Sequence, residues 1–208
     1  MTVACIVLAA GGSSRLGRPK QLLALRGRTL LDAVLDTARS CGFDQLVVAL
    51  GGAAERVRAQ VDLSGCEVVE NTAYGTGCSS SIAAAVPTLA PGTETVVLLL
   101  GDQPDVRSDA VRRLLAGRGR APLAVCRYND GVGHPFAFGP DMLPDLAQLH
   151  GDKAVWRLLE QRHADVVEVE VPGLIPADVD TEEDYERLLA SAGAPAHDSP
   201  EAGVSSTA

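Results

Sequence analysis

The sequence is poor in aromatic residues, because Phe, Tyr and Trp together make up 3% of its 208 residues. We therefore expect a core built from Ala, Val and Leu side chains. Hydrophobic residues still account for 46% of the chain and charged residues for 22%, an ordinary globular composition that excludes wholesale disorder. A chain of this length buries roughly 70–75% of its unfolded surface, so it needs no disulfide or metal staple to fold as one domain.

Basic charge is also scarce. The chain has 18 Lys and Arg residues against 27 Asp and Glu residues, which gives a formal net charge of −9. This balance argues against nucleic-acid and membrane partners, since proteins that coat nucleic acids or bind anionic lipids depend on a basic surface. A phosphate ligand remains compatible with it, because screening over ~8 Å makes local charge matter more than the total.

The five cysteines lack the spacing of a disulfide or metal-binding framework. Their odd number and the absence of a C-x-x-C pair indicate reduced thiols. The sequence has no apolar run near the ~20 residues of a membrane span, and its first residues lack the basic region of a signal peptide. We therefore expect a cytoplasmic protein.

Apolar runs that are typical of buried strands alternate with amphipathic segments that are typical of helices. The alternation predicts an α/β layered domain with a mostly parallel sheet, and a late hairpin indicates one antiparallel strand. Thr29 with Asp32 and Thr181 with Asp184 have the spacing of helix-capping boxes, and Ser108 is a candidate N-cap. We expect residues 1–190 to form a single domain and residues 191–208 to be a disordered tail. Strands are predicted at 3–10, 45–50, 67–70, 95–100, 123–128, 134–138 and 166–171.

The first predicted strand is followed by a loop, residues 11–20, that is rich in glycine, serine and basic residues. Ligands of open α/β sheets bind beyond the carboxyl ends of the strands, and backbone N–H groups, hydroxyls and cations together suit a polyphosphate. The loop is not a Walker A motif, since Gly17 is followed by Arg18. It is not a dinucleotide fingerprint either, since Ser13 stands where a glycine is required. The alternative is an ordinary surface turn.

Two further segments carry carboxylates at positions where a metal ion could bind. Asp102 follows the strand at 95–100 after a single glycine and faces the same sheet edge as the loop. Magnesium takes oxygen ligands, typically one or two carboxylates with phosphates and water, so Asp102 is a candidate ligand. The alternative is an aspartate that caps the following turn. Asp178 and Asp180 lie on one side if their segment is extended, and Asp180 would lie beside the positive end of a helix.

Residues 8–20, LAAGGSSRLGRPK, resemble the L-A-A-G-x-S-x-R-M-G-x-x-K signature of nucleotidyltransferases, and most closely that of the molybdenum cofactor cytidylyltransferases. Leu16 replaces Met with little change in volume. The resemblance implies a three-layer Rossmann-like nucleotidyltransferase fold. It also implies that Arg15 contacts the triphosphate of an NTP and that Lys20 stabilises charge at the α-phosphate. The implied nucleotide-binding residues of this segment are Leu8, Ala9, Ala10, Gly11, Gly12, Ser13, Ser14, Arg15 and Lys20.

The metal-binding segments are also similar to the family's. Gly101-Asp102-Gln103-Pro104 matches its metal motif, and residues 178–185, DVDTEEDY, resemble D-I-D-T-P-E-D-Y with Glu182 in place of Pro. The resemblance implies that Asp102 and Asp180 hold one Mg²⁺. It leaves Asp178 as either a hydrogen-bond acceptor near the metal or an ordinary turn residue.

The loops at residues 71–81 and 133–135 resemble the family's sequence patterns less closely. Residues 71–81 resemble an N-x-x-[aromatic]-x-x-G-x-x-x-S loop, which implies nucleotide contacts by Gly77 and Ser80; a flexible loop with an N-cap serine is the alternative. Gly133-His134-Pro135 resembles an element that faces the acceptor substrate, where His134 would shape a phosphate-accepting pocket without transferring protons.

The segment that follows departs from the family pattern. Asp152 is the implied acceptor-binding residue of an L-x-G-D-x-G-[AS]-R element, but Ala154 and Trp156 stand where the family has glycine and arginine. If these positions meet the acceptor, the acceptor can differ from molybdopterin.

The resemblance implies Mg²⁺-dependent transfer of a nucleoside monophosphate to a phosphorylated acceptor, with pyrophosphate released and Arg15, Lys20 and Asp102 as catalytic residues. We expect CMP transfer from CTP to molybdopterin, and a molybdoenzyme as a possible client. CTP is favoured because Ala10 stands where related guanylyltransferases have glycine, and its methyl group crowds a purine. The alternatives are a sugar- or polyol-phosphate nucleotidyltransferase and a non-catalytic accessory protein for a molybdoenzyme. Retention of Asp180 beside the three catalytic residues argues against the accessory protein.

Overall fold

The computed structural model describes residues 2–151 and 153–192. The strands are β1 (Val3–Ala9), β2 (Ala24–Leu25), β3 (Arg28–Thr29), β4 (Gln45–Leu50), β5 (Glu67–Glu70), β6 (Thr95–Leu100), β7 (Leu123–Tyr128), β8 (Gly131–Phe138) and β9 (Val166–Glu170). The helices are α1 (Leu30–Ser40), α2 (Ala54–Gln60), α3 (Cys78–Ala85), α4 (Ser108–Arg118), α5 (Leu143–Ala147), α6 (Ala154–Gln161) and α7 (Glu182–Ala192).

The main sheet has seven strands in the order β5-β4-β1-β6-β8-β7-β9. β8 runs antiparallel to its neighbours β6 and β7, whereas the other neighbouring pairs of this sheet are parallel. The prediction of a mostly parallel sheet with one antiparallel strand is confirmed.

Helices cover both faces of the sheet. Alternate residues of β1 point to opposite sides, so Val7 packs in a cluster with side chains of α1, α2 and α4, and Ile6 packs in a cluster with side chains of α3, α5 and α6. Strands buried on both faces carry continuous apolar runs, which is why the sequence predicted them well. The core is mainly Ala, Val and Leu as expected, although Phe136 and Phe138 of β8 are also fully buried.

A short ribbon of β2 and β3 was not predicted. Its two-residue turn, Arg26-Gly27, has φ values of +50° and +79°, the pattern of a type I′ hairpin turn. Each strand has only two residues, which is too short to produce a periodic signal. Leu25 of the ribbon packs in a small apolar cluster with Val179 and with Leu188 of α7. This cluster holds the segment before α7 next to the loop that follows β1.

Both predicted capping boxes are present, at the start of α1 and at the start of α7. The N-cap prediction for Ser108 is wrong. Ser108 is the first residue of α4 and its hydroxyl accepts a hydrogen bond from Arg112, while Arg107 occupies the N-cap position without a side-chain cap.

α7 ends at Ala192, two residues beyond the predicted domain boundary at residue 190, and the boundary itself stays a prediction. The rest of the predicted tail, residues 193–208, lies outside the described residues, and so does Asp152. Within the described ranges, no helix is both long enough and apolar enough to cross a bilayer.

Candidate active site

A cavity of about 770 Å³ opens where β1 and β6 end, at the carboxyl edge of the sheet. This volume lies within the range of small-molecule sites, and its position is the one that α/β sheets use for ligands. Its lining includes most of the residues predicted for nucleotide and metal: Leu8, Ala9, Ala10, Gly11, Gly12, Ser14, Arg15, Lys20, Gly77, Asp102 and Asp180.

The loop after β1 is held by its own hydrogen bonds. The backbone N–H of Lys20 donates to Ser13 Oγ at 3.0 Å, so the Ser13 hydroxyl lies inside the loop and not in the cavity lining. Gln21, which is buried, donates through Nε2 to the carbonyls of Ala9 at 2.7 Å and Gly11 at 3.1 Å. These bonds fix the loop against the end of β1, and the exposed backbone of Gly11 and Gly12 remains available to a ligand.

Lys20 connects the two predicted metal ligands. Its Nζ donates to Asp102 Oδ2 and, at 2.8 Å, to Asp180 Oδ1. Arg15 donates to the other oxygen of Asp180 at 2.7 Å. The prediction that these groups would meet at one place is therefore confirmed, although Lys20 and Asp180 are 160 positions apart in sequence.

The charges of this cluster stabilise one another. Burial alone would raise the pKa of Asp180, but the Lys20 ammonium and the Arg15 guanidinium lower it below its ordinary value. Burial would likewise lower the pKa of Lys20, and the neighbouring carboxylates raise it instead. Both groups are therefore charged at neutral pH.

Asp178 lies beside this cluster and lines the cavity. Its Oδ1 accepts a hydrogen bond of 2.8 Å from Gln103, which also donates to the carbonyl of Pro176 at 2.9 Å. Burial, with the nearby charge of Asp102, raises the pKa of Asp178. The backbone N–H of Val179 donates to the carbonyl of Asp102 at 3.1 Å, so the segment before α7 is tied directly to the end of β6.

The donor set fits a hard divalent cation. Asp102 and Asp180 already share one positive group, the Lys20 ammonium, and both present oxygen atoms to it. No group of three or more His, Cys, Asp or Glu side chains in the described ranges is arranged to hold a metal ion by itself. A site with two carboxylates suits Mg²⁺, which usually completes its coordination with water and substrate phosphates.

Tyr74 was not singled out from the sequence, yet it lines the cavity and packs over Gly51 and Gly52. A Cβ on Gly52 would lie 2.4 Å from the Tyr74 hydroxyl, and one on Gly51 would lie 2.4 Å from the carbonyl oxygen of Ala10. The two glycines, which the sequence indicated only as the end of a strand, are therefore required for close packing around the cavity.

The loop between β5 and α3 contributes unequally to the site. Gly77 lines the cavity with a φ of +116°, a conformation that favours glycine. Ser80 is not among the lining residues, since its hydroxyl bonds to Asn71 Nδ2 and to the carbonyl of Gly77, both at 2.7 Å. Ser81, on which the last position of the N-x-x-[aromatic]-x-x-G-x-x-x-S pattern falls, does line the cavity. The nucleotide contact predicted for Ser80 stays a prediction.

His134 lies outside the cavity lining. Its ring stacks on Phe136 with centroids 4.0 Å apart, and burial lowers its pKa from 6.5 to about 3. The imidazole is therefore neutral and offers no positive charge to a phosphate. The acceptor-binding role of His134 stays a prediction.

Lys153 is a further lining residue that the sequence analysis missed. The chain uses arginine for nearly all its basic residues and contains only two lysines, Lys20 and Lys153. Both line the same cavity. The rarity of lysine was thus a usable signal for the site.

The remaining lining residues were not assigned to the site from the sequence either. They are Gln21, Gly75, Cys78, Leu100 and Gly101.

This chain is similar to a known protein family and to several known proteins. A sequence model of the MobA-like NTP transferase domain matches residues 5–166. Nicotine blue oxidoreductase from Paenarthrobacter nicotinovorans is 32% identical over 197 residues, which are 88% of this chain and 95% of that protein. The crystal structure of the Rv0371c homologue from Mycobacterium sp. strain JC1 is 49% identical with a TM-score of 0.86, covering 91% of this chain and 96% of that one.

A related structure bears on the metal. Rv0371c from Mycobacterium tuberculosis, in complex with manganese, is 45% identical with a TM-score of 0.83 and covers 92% of this chain and all of that one.

Proposed function

This chain belongs to the MobA-like NTP transferase family, and we propose that it transfers CMP from CTP to a phosphorylated acceptor, with release of pyrophosphate. We favour molybdopterin as the acceptor. The observation that carries the proposal is the convergence of Lys20 and Arg15 on Asp102 and Asp180 at the ligand-binding edge of the sheet.

In this proposal each residue of the cluster has a separate role in the transfer of the nucleotide. Asp102 and Asp180 would hold a divalent cation, Mg²⁺ in our proposal, which neutralises charge on the phosphate oxygens. The exposed backbone of Gly11 and Gly12 binds the phosphates, and Arg15 fixes their position. Lys20 stabilises the negative charge that develops at the α-phosphate.

A general base is not needed in this scheme. The attacking group is a phosphate oxygen of the acceptor, which is already an anion, so alignment and charge neutralisation account for most of the rate. The ring of His134 is neutral and is not among the residues that line the cavity, which agrees with this scheme.

The preference for CTP rests on Ala10. Ala10 lines the cavity directly after β1 and is buried. The carbonyl of Ala10 packs so closely on Gly51 that the backbone has no room to retreat from a larger base. A methyl group held in this way favours a pyrimidine over a purine.

Pyrophosphate release measures the nucleotide preference. With Mg²⁺ and molybdopterin present, we expect kcat/KM for CTP to exceed that for GTP by about tenfold, which is ~1.4 kcal/mol. Ala10→Gly should lower the ratio of the two kcat/KM values, because it should raise kcat/KM for GTP. A wild-type preference for GTP would reverse the nucleotide assignment.

The same assay separates the alternatives for the acceptor. If pyrophosphate is released with a sugar or polyol phosphate and not with molybdopterin, the protein is a sugar- or polyol-phosphate nucleotidyltransferase. Binding of molybdopterin without pyrophosphate release under any condition would favour the accessory protein.

Asp102→Ala should lower turnover by ~100-fold or more, because the variant loses a metal ligand and the charge that positions Lys20. Asp141→Ala is the matched control, since Asp141 is an exposed aspartate outside the cavity lining. Near-normal turnover of Asp102→Ala would remove Asp102 from the chemistry.

A further inference from the structure

Gln103 is a buried polar side chain that directly follows Asp102. Its Nε2 donates to the carbonyl of Pro176 at 2.9 Å and to Asp178 Oδ1 at 2.8 Å. Its Oε1 is buried and has no hydrogen-bond partner among residues 2–151 and 153–192. The side chain cannot be turned over, since its oxygen would then face two oxygen acceptors. An unpaired buried acceptor is destabilising, so the contribution of Gln103 lies in the two bonds that its amide donates.

The same arrangement occurs at Gln21, which directly follows Lys20. Gln21 is also buried, and its Nε2 donates to the two carbonyls of Ala9 and Gly11. Its Oε1 is likewise buried without a partner in the described part of the chain. Each glutamine therefore follows a charged residue of the site and fastens the segment that carries this residue to another segment.

The segment that Gln103 holds is also fixed by apolar packing at both of its ends. Ile175 packs on β8 so closely that a Cβ on Gly133 would lie 2.7 Å from its side chain. Val179 packs in the small apolar cluster that includes side chains of α7. The two bonds from Gln103 reach the segment between these anchors, so residues 175–179 cannot shift along the end of β6 without breaking them.

The position of this segment decides where the second carboxylate lies. Asp180 directly follows Val179, whose backbone N–H donates to the carbonyl of Asp102 at 3.1 Å. This bond and the two from Gln103 fasten together the two stretches of chain that carry Asp102 and Asp180. The Lys20 ammonium attracts both carboxylates, but it stands on a flexible side chain and does not by itself fix their spacing.

We propose that Gln103 is a positioning residue that sets the spacing of Asp102 and Asp180 and thereby the affinity of the site for a divalent cation. The inference rests on the proposed function, in which these two carboxylates hold the cation. Gln103 is not among the residues that line the cavity, and it acts through Asp178 and Pro176. Loss of a side chain that orients metal ligands typically lowers metal affinity by about 10–100-fold.

Gln103→Met tests this role, because it keeps the length of the side chain and removes both donated bonds together with the unpaired oxygen. We expect Mn²⁺ affinity in the absence of nucleotide to fall about tenfold, as measured by electron paramagnetic resonance of free Mn²⁺. Thr95→Val is the matched control. It removes a buried hydrogen bond of 2.6 Å from Arg118 at the other end of β6, and it should leave Mn²⁺ affinity unchanged.

Thermal denaturation separates positioning of the carboxylates from stabilisation of the fold. Gln103→Met should lower Tm by no more than Thr95→Val does, because it also removes the unpaired oxygen. If Gln103→Met fails to fold, or if it lowers Tm and binds Mn²⁺ like wild type, the side chain serves the fold and the inference is overturned.

A double-mutant cycle checks the route through Asp178. In an Asp178→Ala background Gln103→Met should weaken Mn²⁺ binding by a smaller factor, since one of its two bonds is already absent. An equal factor in both backgrounds would show that Gln103 does not act through Asp178 and would overturn the inference.

Mn²⁺ binding by Asp102→Ala distinguishes this inference from the proposed function. If Asp102→Ala binds Mn²⁺ as tightly as wild type, the proposed cation site fails and the inference fails with it. If Asp102→Ala loses affinity and Gln103→Met keeps it, only the role of Gln103 fails.

Discussion

Lys20 is the residue whose partners must change most when substrates bind. Its ammonium pairs with both Asp102 and Asp180 and offsets the repulsion between their negative charges. A divalent cation that takes over these carboxylates leaves the lysine available to the phosphates. Lys20 thus serves as an internal counter-ion before it serves as a catalytic group.

Lys20→Met should therefore bind metal more tightly while it loses most transfer activity. Without the ammonium the two carboxylates repel each other, and a divalent cation relieves that repulsion. We expect Mn²⁺ affinity in the absence of nucleotide to rise about tenfold, or ~1.4 kcal/mol, as measured by electron paramagnetic resonance of free Mn²⁺.

Lys153→Met is the matched control for that measurement, since it removes the other lysine of the cavity without touching the carboxylates. It should leave Mn²⁺ affinity unchanged. Unchanged or weaker Mn²⁺ binding by Lys20→Met would contradict the counter-ion role.

Gly52 shows how a missing side chain shapes the cavity. The space that its Cβ would need is filled by the Tyr74 ring. Gly52→Ala must displace Tyr74 from the cavity lining, so we expect the KM for CTP to rise several-fold with a smaller change in kcat.

A double-mutant cycle checks the cause. In a Tyr74→Ala background Gly52→Ala should have little further effect on KM, because the ring that it displaces is gone. An equal effect of Gly52→Ala in both backgrounds would show that the glycine acts on something other than Tyr74.

At the scale of elements, the two capping boxes are built alike but placed differently. Thr29 and Asp32 begin α1 on one face of the sheet, whereas Thr181 and Asp184 begin α7 immediately after the proposed metal ligand Asp180. Asp184 also accepts a hydrogen bond of 3.1 Å from the backbone N–H of Asp180. The second box therefore fixes the backbone of a site residue as well as the end of a helix.

Comparing the two caps separates stability from function. Thr29→Ala and Thr181→Ala should each cost ~1 kcal/mol, or about 2–4 °C in Tm. Only Thr181→Ala should also raise the Mg²⁺ concentration needed for half-maximal activity. If both variants shift the Mg²⁺ dependence equally, or neither does, the second box has no special role at the site.

At the scale of the whole molecule, the site joins distant parts of the chain. The loop after β1 contacts the segment before α7 through Arg15–Asp180, and it contacts the first residue of α7 through Arg18–Glu182 at 2.6 Å. Glu182, the departure from the family's proline, is thus paired. Both partners of the second contact are exposed, so it adds little stability and the apolar cluster around Val179 carries more of the attachment.

A ligand that bridges these segments should stabilise the whole fold. CTP and Mn²⁺ together, at about 100 times their dissociation constants, should raise Tm by about 5–10 °C in differential scanning calorimetry, and each alone by less. Asp180→Asn should abolish the excess of the pair over the separate effects. Strictly additive shifts in wild type would show that nucleotide and metal do not share the site.

The amino-acid sequence by itself determined the elements whose signals are local. The strands at 45–50, 95–100 and 123–128 have the predicted bounds, because strands buried on both faces need mostly apolar residues. The strand at 67–70 also has the predicted bounds, although it lies at the edge of the sheet and is only partly buried. The helix caps at Thr29 and Thr181 could also be predicted from the sequence, since each depends on two residues three positions apart. The family signature at residues 8–20 located the edge of the sheet where the cavity lies.

Only the tertiary structure decided which side chains share that cavity. Lys20 reaches Asp102 across 82 positions, and Trp156 meets His134 through the packing of α6 on the antiparallel strand β8. Tyr74 stands at the aromatic position of the pattern in residues 71–81, but its packing into the space left by Gly51 and Gly52 joins segments that are distant in sequence. Such contacts depend on how helices pack on the sheet, and no periodicity within one segment records the residues that a different segment will bring to it.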